Sequence, residues 1–370
     1  ESAGGTWAGD GTENTVVGYQ AFKGAVNGAN YNTILGSQAG KAITTGDNNV
    51  AVGYGALDQA TTAASNIAIG KDAMGGITSG IAASYCIAIG DEALKSSANF
   101  DANNSSYTVA IGRQAGMMIT ASAAGVYNTL VGTSSGMALT TGGSSAYFGF
   151  SSGSVVTTGS GNVGVGSYAH QNVGVGNYNV AIGHEAMKSS GTAADNDASS
   201  NTAVGYQSLK AITDGDSNVA VGANAGDAIT TGGNNVSVGK SSLGALLTGT
   251  NNVAIGSSAM SAADGNEREN IAIGFYAGGS INNDSAYRNV FIGEYAGNGG
   301  TGALGQSVAI GYGALDATAE NNITGAVAIG YQALTALTSG TNNTAIGYQA
   351  MLEHATGNNN TAIGYGAMND

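Results

Sequence analysis

Residues 251–260 read NNVAIGSSAM, and close variants of this stretch recur along the chain. NNVAVGYGAL stands at 48–57, SNIAIGKDAM at 65–74 and NNTAIGYQAM at 342–351. A motif that returns at a short, nearly fixed interval is the sequence signature of a repeat architecture. The repeat therefore decides the fold.

Alignment on the Gly that follows the apolar pair collects twenty positions, here called the repeat glycines. They are Gly18, Gly36, Gly53, Gly70, Gly90, Gly112, Gly132, Gly149, Gly166, Gly183, Gly205, Gly222, Gly239, Gly256, Gly274, Gly293, Gly311, Gly330, Gly347 and Gly364. Their spacing runs from 17 to 22 residues, and ten of the nineteen intervals are 17. We predict a bare coil of 17 residues, with the extra residues of longer copies in edge loops at 95–107, 188–200 and 261–269.

The three residues before each repeat glycine alternate in character, as the two faces of a β-strand do. We call them the first, central and last strand positions. The last position is apolar in every copy, as in Val52, Ile69 and Ile255, and the first is nearly always Val, Ile or Thr. These two positions share a face, which we predict to be the water-excluding interior of the coil. The opposite face carries mostly Ala at the central position and Asn one residue before the strand.

The Asn before the strand predicts a second regular feature. Asn at matching positions of successive parallel strands can stack into a hydrogen-bonded amide ladder. Cys86 occupies one of these positions and is interpreted as a small residue within the ladder. After the repeat glycine the chain is expected to turn a corner, because residue type becomes free there until an Ala or Ser three residues on.

These patterns predict an all-β fold, a parallel β-solenoid or β-roll of about twenty coils of 17–22 residues. Residues 14–370 are expected to form one continuous repeat domain, and residues 1–13 an N-terminal segment that caps it or makes a contact. Solenoid ends normally need a cap. We therefore expect the final coil at 359–370 to be covered by a further domain or by the Trp7-bearing end of another copy, stacked end to end.

Composition narrows the function classes. The chain has 63 Gly, no Pro and 9% charged residues, which disfavours an ordinary globular core. Its net charge of −14 opposes binding to nucleic acid or anionic membrane surfaces. No apolar run approaches the roughly 20 residues of a membrane span. The single cysteine cannot form a disulfide within the chain, so it does not indicate whether the protein works in an oxidising or a reducing compartment.

The pattern N-[TV]-A-[IV]-G-x-x-A, repeated from about Asn14 to Met368, resembles the head repeats of trimeric autotransporter adhesins. The longer form G-x-N-N-T-A-I-G-Y-x-A-L resembles repeats in tail-fibre-like proteins of bacteriophages. The resemblance implies a left-handed parallel β-roll, association of three chains, and attachment to extracellular matrix or other cells. Coils here are longer than the shortest ones of the adhesin family.

Several residues invite catalytic or metal-binding interpretations. His184-Glu185 matches half of an HExxH motif, but Lys188 stands where the second His belongs. Gly164-x-Gly166 is a variant of the repeat without a surrounding βαβ unit. Asp214/Asp216 and Asp195/Asp197 are paired carboxylates of the kind that cleaves sugars, yet they lie in predicted turns.

Two further binding interpretations remain open at this stage. Calcium could bind Asp195-Asn196-Asp197 or Asp101-Ala102-Asn103, although neither has the full spacing of a calcium loop. The repeated Thr pairs suggest a flat ice-binding array, but adjacent residues point to opposite faces of a strand. We expect no catalytic residues, metal ligands or cofactor.

The sequence thus predicts a non-enzymatic structural and adhesive fibre segment at an extracellular, cell or virion surface. Its partners would be its own copies, as a homotrimer or an end-to-end filament, and a surface or matrix receptor or glycan. The alternatives are a phage tail fibre or tailspike that acts on host polysaccharide, and a self-assembling extracellular filament subunit.

Overall fold

The computed structural model describes residues 11–24, 26–76, 83–95, 107–119, 127–191, 196–299, 302, 304–316 and 322–369. Within these ranges the chain is all β, with strands and turns and no helix. The residues form two compact units, one of Glu1–Glu185 with Gly191–Asp197, the other of Ala186–Ser190 with Ala198–Asp370. The predicted parallel β-solenoid is confirmed in both. The predicted N-terminal plug, Trp7, lies outside the described residues.

The first unit contains ten three-residue strands, each immediately before a repeat glycine. They are β1 Thr15–Val17, β2 Thr33–Leu35, β3 Val50–Val52, β4 Ile67–Ile69, β5 Ile87–Ile89, β6 Val109–Ile111, β7 Thr129–Val131, β8 Ala146–Phe148, β9 Val163–Val165 and β10 Val180–Ile182. Each strand pairs in parallel with the next along the chain. The register joins equivalent positions, as in Val50 with Ile67.

The second unit repeats this arrangement. Its strands are β11 Thr202–Val204, β12 Val219–Val221, β13 Val236–Val238, β14 Val253–Ile255, β15 Ile271–Ile273, β16 Val290–Ile292, β17 Leu304–Gly305, β18 Val308–Ile310, β19 Ile323–Thr324, β20 Val327–Ile329, β21 Gly340–Thr341, β22 Thr344–Ile346 and β23 Thr361–Ile363. The three-residue strands again form a parallel ladder in chain order. The two-residue strands β17, β19 and β21 form a second, short parallel sheet.

Backbone hydrogen bonds between coils hold each stack together. The amide of Val50 donates to the carbonyl of Asn66 at 2.8 Å, and the amide of Gly53 donates to the carbonyl of Leu35 at 2.9 Å. Each coil therefore satisfies its backbone groups through the coils before and after it. A single coil could not satisfy these groups.

The prediction of which strand face lies inside is wrong. Central residues such as Ala51, Ala68 and Ala254 are fully buried, whereas Ile69 and Ile255 at the last position are exposed. The interior is completed by the Ala or Ser three residues after the repeat glycine and by larger residues such as Leu57 and Ile43. Small Ala residues occupy most of the interior strand positions, and the bulkier Val and Ile lie on the outer surface.

Candidate interaction surface

Each unit presents a regular surface, the strand face, which we define as the first and last positions of the three-residue strands. None of these residues is charged. Ile255 is 38% exposed and Phe148 40%, and the last-position residues of neighbouring strands follow them at the same spacing. In the first unit the exposed large apolar members are Val17, Leu35, Ile69, Ile111, Phe148, Val165 and Ile182. In the second they are Val219, Val221, Ile255, Ile271, Ile273, Ile292 and Ile363.

The size of the strand face sets it apart from scattered surface apolar residues. Ten strands about 4.8 Å apart and about 10 Å wide give roughly 480 Å² in each unit. The largest apolar patch of a typical monomeric protein is about 300–600 Å² and is often functional. The strand face reaches that size before the neighbouring aromatic residues are counted. It is therefore a surface suited to contact with another apolar partner.

Exposed aromatic rings border the strand face. The positions that follow the repeat glycines carry exposed rings at Tyr19, Tyr54 and Phe150 in the first unit, and at Tyr206, Phe275, Tyr312, Tyr331, Tyr348 and Tyr365 in the second. The row that precedes the Asn positions contains Tyr31, Tyr85, Tyr107, Tyr127 and Tyr178. Sequence reasoning missed these rows, although reading the aligned positions as columns would have shown them.

Stacked rings occur in both rows. We call Tyr312, Tyr331, Tyr348 and Tyr365 the Tyr312 row, and Tyr85, Tyr107 and Tyr127 the Tyr85 row. Ring centroids in the Tyr312 row are 5.3, 5.1 and 5.1 Å apart, and those in the Tyr85 row are 5.3 and 5.4 Å apart. All five pairs are face to face within 14°. The spacing is close to the distance between neighbouring parallel strands.

The amide ladder predicted from the Asn positions is present, although it lies inside the coil. The Nδ2 of Asn49 donates to the Oδ1 of Asn32 at 3.0 Å, and the Nδ2 of Asn66 donates to the Oδ1 of Asn49 at 3.1 Å. Cys86 continues the run, since its backbone amide donates to the Oδ1 of Asn66 at 2.9 Å. Burial raises the pKa of the Cys86 thiol to about 11, so the thiol stays protonated.

His184 and Glu185 lie at the turn after the repeat glycine Gly183. The Nε2 of His184 is 4.0 Å from the Oε1 of Glu185, and the His184 ring makes an edge contact with Tyr168. Among the described residues no group of three or more His, Cys, Asp or Glu side chains is arranged to hold a metal ion. The two side chains are neighbours in sequence, and their contact is an ion pair only when the imidazole is protonated.

Gly164-x-Gly166 forms part of β9 and its corner, as the repeat reading predicted. Gly164 lies against the ring of Tyr147 from the preceding coil, where a Cβ would come within 2.7 Å of the ring. The Tyr147 ring stacks on His170 with centroids 5.9 Å apart. Both side chains are fully buried, and burial lowers the pKa of His170 to about 4. This aromatic pair fills the coil interior.

The paired carboxylates stand in turns. Asp214 and Asp216 are both exposed, and the Oδ1 of Asp216 accepts the backbone amide of Ser199 at 2.7 Å. Asp216 thus links the turns of two successive coils, which is a structural use of the side chain. Asp197 is exposed, whereas Asp195 lies outside the described residues. Asp101, Ala102 and Asn103 also lie outside them.

The Thr pairs divide their side chains as adjacent residues on a strand do. The Oγ1 of Thr230 donates to the carbonyl of Leu247 in the next coil at 3.0 Å, while Thr231 is exposed. Thr44 and Thr140 donate in the same way to Thr61 and Thr157. The first Thr of each of these pairs therefore links two successive coils by a side-chain hydrogen bond.

Membrane-spanning helices and known relatives were both sought. In the part of the chain that the structure describes, no helix is long and apolar enough to cross a membrane. Comparison with protein-family models gives no matching family, and comparison with curated proteins gives no match.

Proposed function

We propose that the chain is a structural and adhesive fibre segment that works outside the cell as a self-associated homotrimer. The exposed, uncharged strand face carries the proposal. Removing such a face from water contributes about 25 cal/mol per Å² of apolar surface. A second and third copy offer the same face in the same register, so every coil of one chain can meet an equivalent coil of another.

The fibre role is supported by how the coils are built. Each coil makes backbone and Asn hydrogen bonds with the coils before and after it in the sequence. Such bonds lengthen the stack coil by coil and do not close it. Three chains around one axis would cover the strand faces and leave the turns and edge loops outside, where they can reach a receptor. The resemblance to adhesin head repeats favours three chains over two.

Light scattering on residues 1–370 tests self-association. We expect three times the chain mass of 36.0 kDa. The double variant Ile255→Asp/Ile273→Asp places charges on the strand face of β14 and β15 and should run as a single chain, because a desolvated unpaired charge opposes association. The matched control Thr45→Asp/Thr231→Asp adds the same charge at exposed turn positions and should keep the wild-type mass.

The adhesive part of the proposal is tested with the same proteins. The wild-type chain should be retained on surfaces coated with matrix protein or surface polysaccharide more strongly than on uncoated ones, and the strand-face variant less strongly through lost multivalency. Chain-length analysis of the polysaccharide after contact separates adhesion from cleavage. A monomeric wild-type chain would refute the trimer, and shortened polysaccharide would refute the non-enzymatic role.

A further inference from the structure

The Tyr312 row is a second surface, distinct in chemistry from the strand face. Its rings stack face to face, with interplanar angles of 11°, 8° and 5°. Because the ring faces cover one another, the stack presents mainly ring edges and hydroxyl groups. Tyr331 and Tyr348 in the middle of the row are still 42% and 44% exposed. The result is a line of phenol groups, one per coil.

The hydroxyl groups of this line are available for a ligand. Within the described residues, none of the four phenol oxygens has a hydrogen-bond partner in the chain. A phenol can both donate and accept a hydrogen bond, so each can serve a partner that is itself rich in hydroxyl groups. By contrast, the hydroxyl of Tyr19 already accepts a hydrogen bond from Gln20.

A column of amides runs beside the phenols. The Nε2 of Gln349 donates to the Oε1 of Gln332 at 3.1 Å, so the two side chains are held in the same axial register as the rings. In the other two coils this position is Gly313 and Gly366. No charged residue occupies either column of these four coils. An uncharged, polar and aromatic strip fits a neutral ligand.

We propose that the Tyr312 row binds an extended, uncharged β-1,4-linked polysaccharide with one sugar ring opposite each coil. The ring-centroid spacing of 5.1–5.3 Å is close to the advance per sugar ring of such a chain in its extended form. Successive sugar hydroxyls then meet successive phenols, and in the two middle coils also the amides of Gln332 and Gln349, without loss of register. An α-1,4-linked chain of the same sugar curves away and meets only one or two coils.

The inference rests on the proposed adhesive function and names its ligand. Each repeat glycine bends the chain between the last strand position and the tyrosine, so the row lies beyond the edge of the strand face. Polysaccharide binding and self-association therefore use different side chains. The two can be lost separately, which keeps their tests independent.

Calorimetric titration of residues 1–370 with sugar oligomers tests the proposal. We expect cellohexaose or chitohexaose to bind, with affinity that rises steeply from dimer to tetramer, because each added ring engages a further coil, and changes little from tetramer to hexamer, because the row has four rings. Maltohexaose should bind much more weakly. Tyr331→Ala/Tyr348→Ala should lose at least about tenfold in affinity, as removal of central contact residues does. Tyr331→Phe/Tyr348→Phe, which keeps the stack and removes two hydroxyls, should lose most of the binding as well.

The matched control is Tyr107→Ala/Tyr127→Ala, which removes the same side chains from the Tyr85 row, where no Gln column follows the rings. It should bind the hexamers as the wild type does. Equal binding of the α-linked and β-linked hexamers, undiminished binding by the Tyr331/Tyr348 variants, or absence of binding would each overturn the proposal. Light scattering on the same variants should still give the associated mass, so failure of sugar binding would leave the fibre proposal standing.

Discussion

At the scale of single residues, two independent constraints, backbone conformation and lack of space, require Gly at the repeat-glycine position. Gly53 has φ of +133°, where side chains are disfavoured. An added Cβ there would also lie 2.5 Å from the carbonyl oxygen of Gly70 in the next coil. The corner is thus too tight for Ala even with the backbone already in place. Other left-handed positions, such as Leu57 at φ +52°, have room for a side chain and take one.

A single buried residue should make the stack sensitive to acid. His170 is fully buried, its Nε2 has no partner among the described residues, and burial lowers its pKa to about 4. An unfolded His titrates near 6.5, so above that pH the residue contributes no pH dependence. Between pH 6.5 and 4, His170 is protonated in the unfolded chain but remains neutral in the folded chain. Stability should therefore fall by on the order of 3 kcal/mol over that range.

The variant His170→Leu tests this, since Leu occupies the equivalent position in other coils at a similar φ. Hydrogen exchange of the amides around β9 and β10, measured at pH 7 and pH 4.5 and corrected for intrinsic rates, should show less acid loss in the variant. The difference between the proteins is the useful quantity, because Asp58 acts in the opposite direction. Burial, then the charge of Asp72, raises the pKa of Asp58 to about 6, which stabilises the fold as pH drops through that value. An identical acid loss in both proteins would contradict the role of His170.

At the scale of the coil, packing follows a size rule that joins two positions. Four strands carry a large central residue, and each is followed, four residues after its repeat glycine, by Gly where most other coils have Leu or Met. The pairs are Ile34 with Gly40, Leu130 with Gly136, Tyr147 with Gly153, and Phe291 with Gly297. A Cβ at Gly153 would meet the Tyr147 ring at 2.7 Å. The alternation between Leu or Met and Gly in the sequence is thus partly compensation for volume.

The size rule predicts a rescue. Phe291→Ala should destabilise the second unit by about 3–5 kcal/mol, because it leaves a cavity in a close-packed interior. Gly297→Leu alone should also destabilise, since a Cβ at Gly297 would overlap the Phe291 ring. The two together should recover much of the loss, as Gly297 has φ of +59° and Leu57 adopts φ of +52° at the equivalent position. Denaturant unfolding of the single and double variants measures the coupling, and additive losses would refute the rule.

The coil is also the scale at which sequence reasoning succeeds and fails. The strands, their register, the corner and the Asn ladder follow from periodicity, because each fixes residue type at a set distance from the glycine. The sequence pattern predicts the inner and outer strand faces the wrong way round, because Val52 and Ile69 are more apolar than Ala51 and Ala68. Periodicity reports that a position avoids water, and it cannot separate the interior of a coil from a surface that another chain covers. The Tyr rows appear in the sequence only when each aligned position is read as a column across the coils, because each coil supplies one ring.

At the scale of the whole molecule, the strand face links stability to concentration. If copies cover it, the folded and associated state gains free energy that a single chain lacks, and the melting temperature must rise with chain concentration. We expect a rise of several degrees between low-micromolar and high-micromolar chain. The Ile255→Asp/Ile273→Asp variant should melt at one temperature throughout, near the wild-type value at the lowest concentration.

The strand-face variant keeps its own coils, because these two side chains point outward and the hydrogen bonds between coils come from the backbone and from Asn252 and its equivalents inside. Its circular dichroism should therefore remain that of a β protein. This separates loss of association from loss of fold, which a charge in the interior would cause instead. A wild-type melting temperature that does not change with concentration, together with an unchanged spectrum, would mean that the strand face stays exposed to water and would refute its role in association.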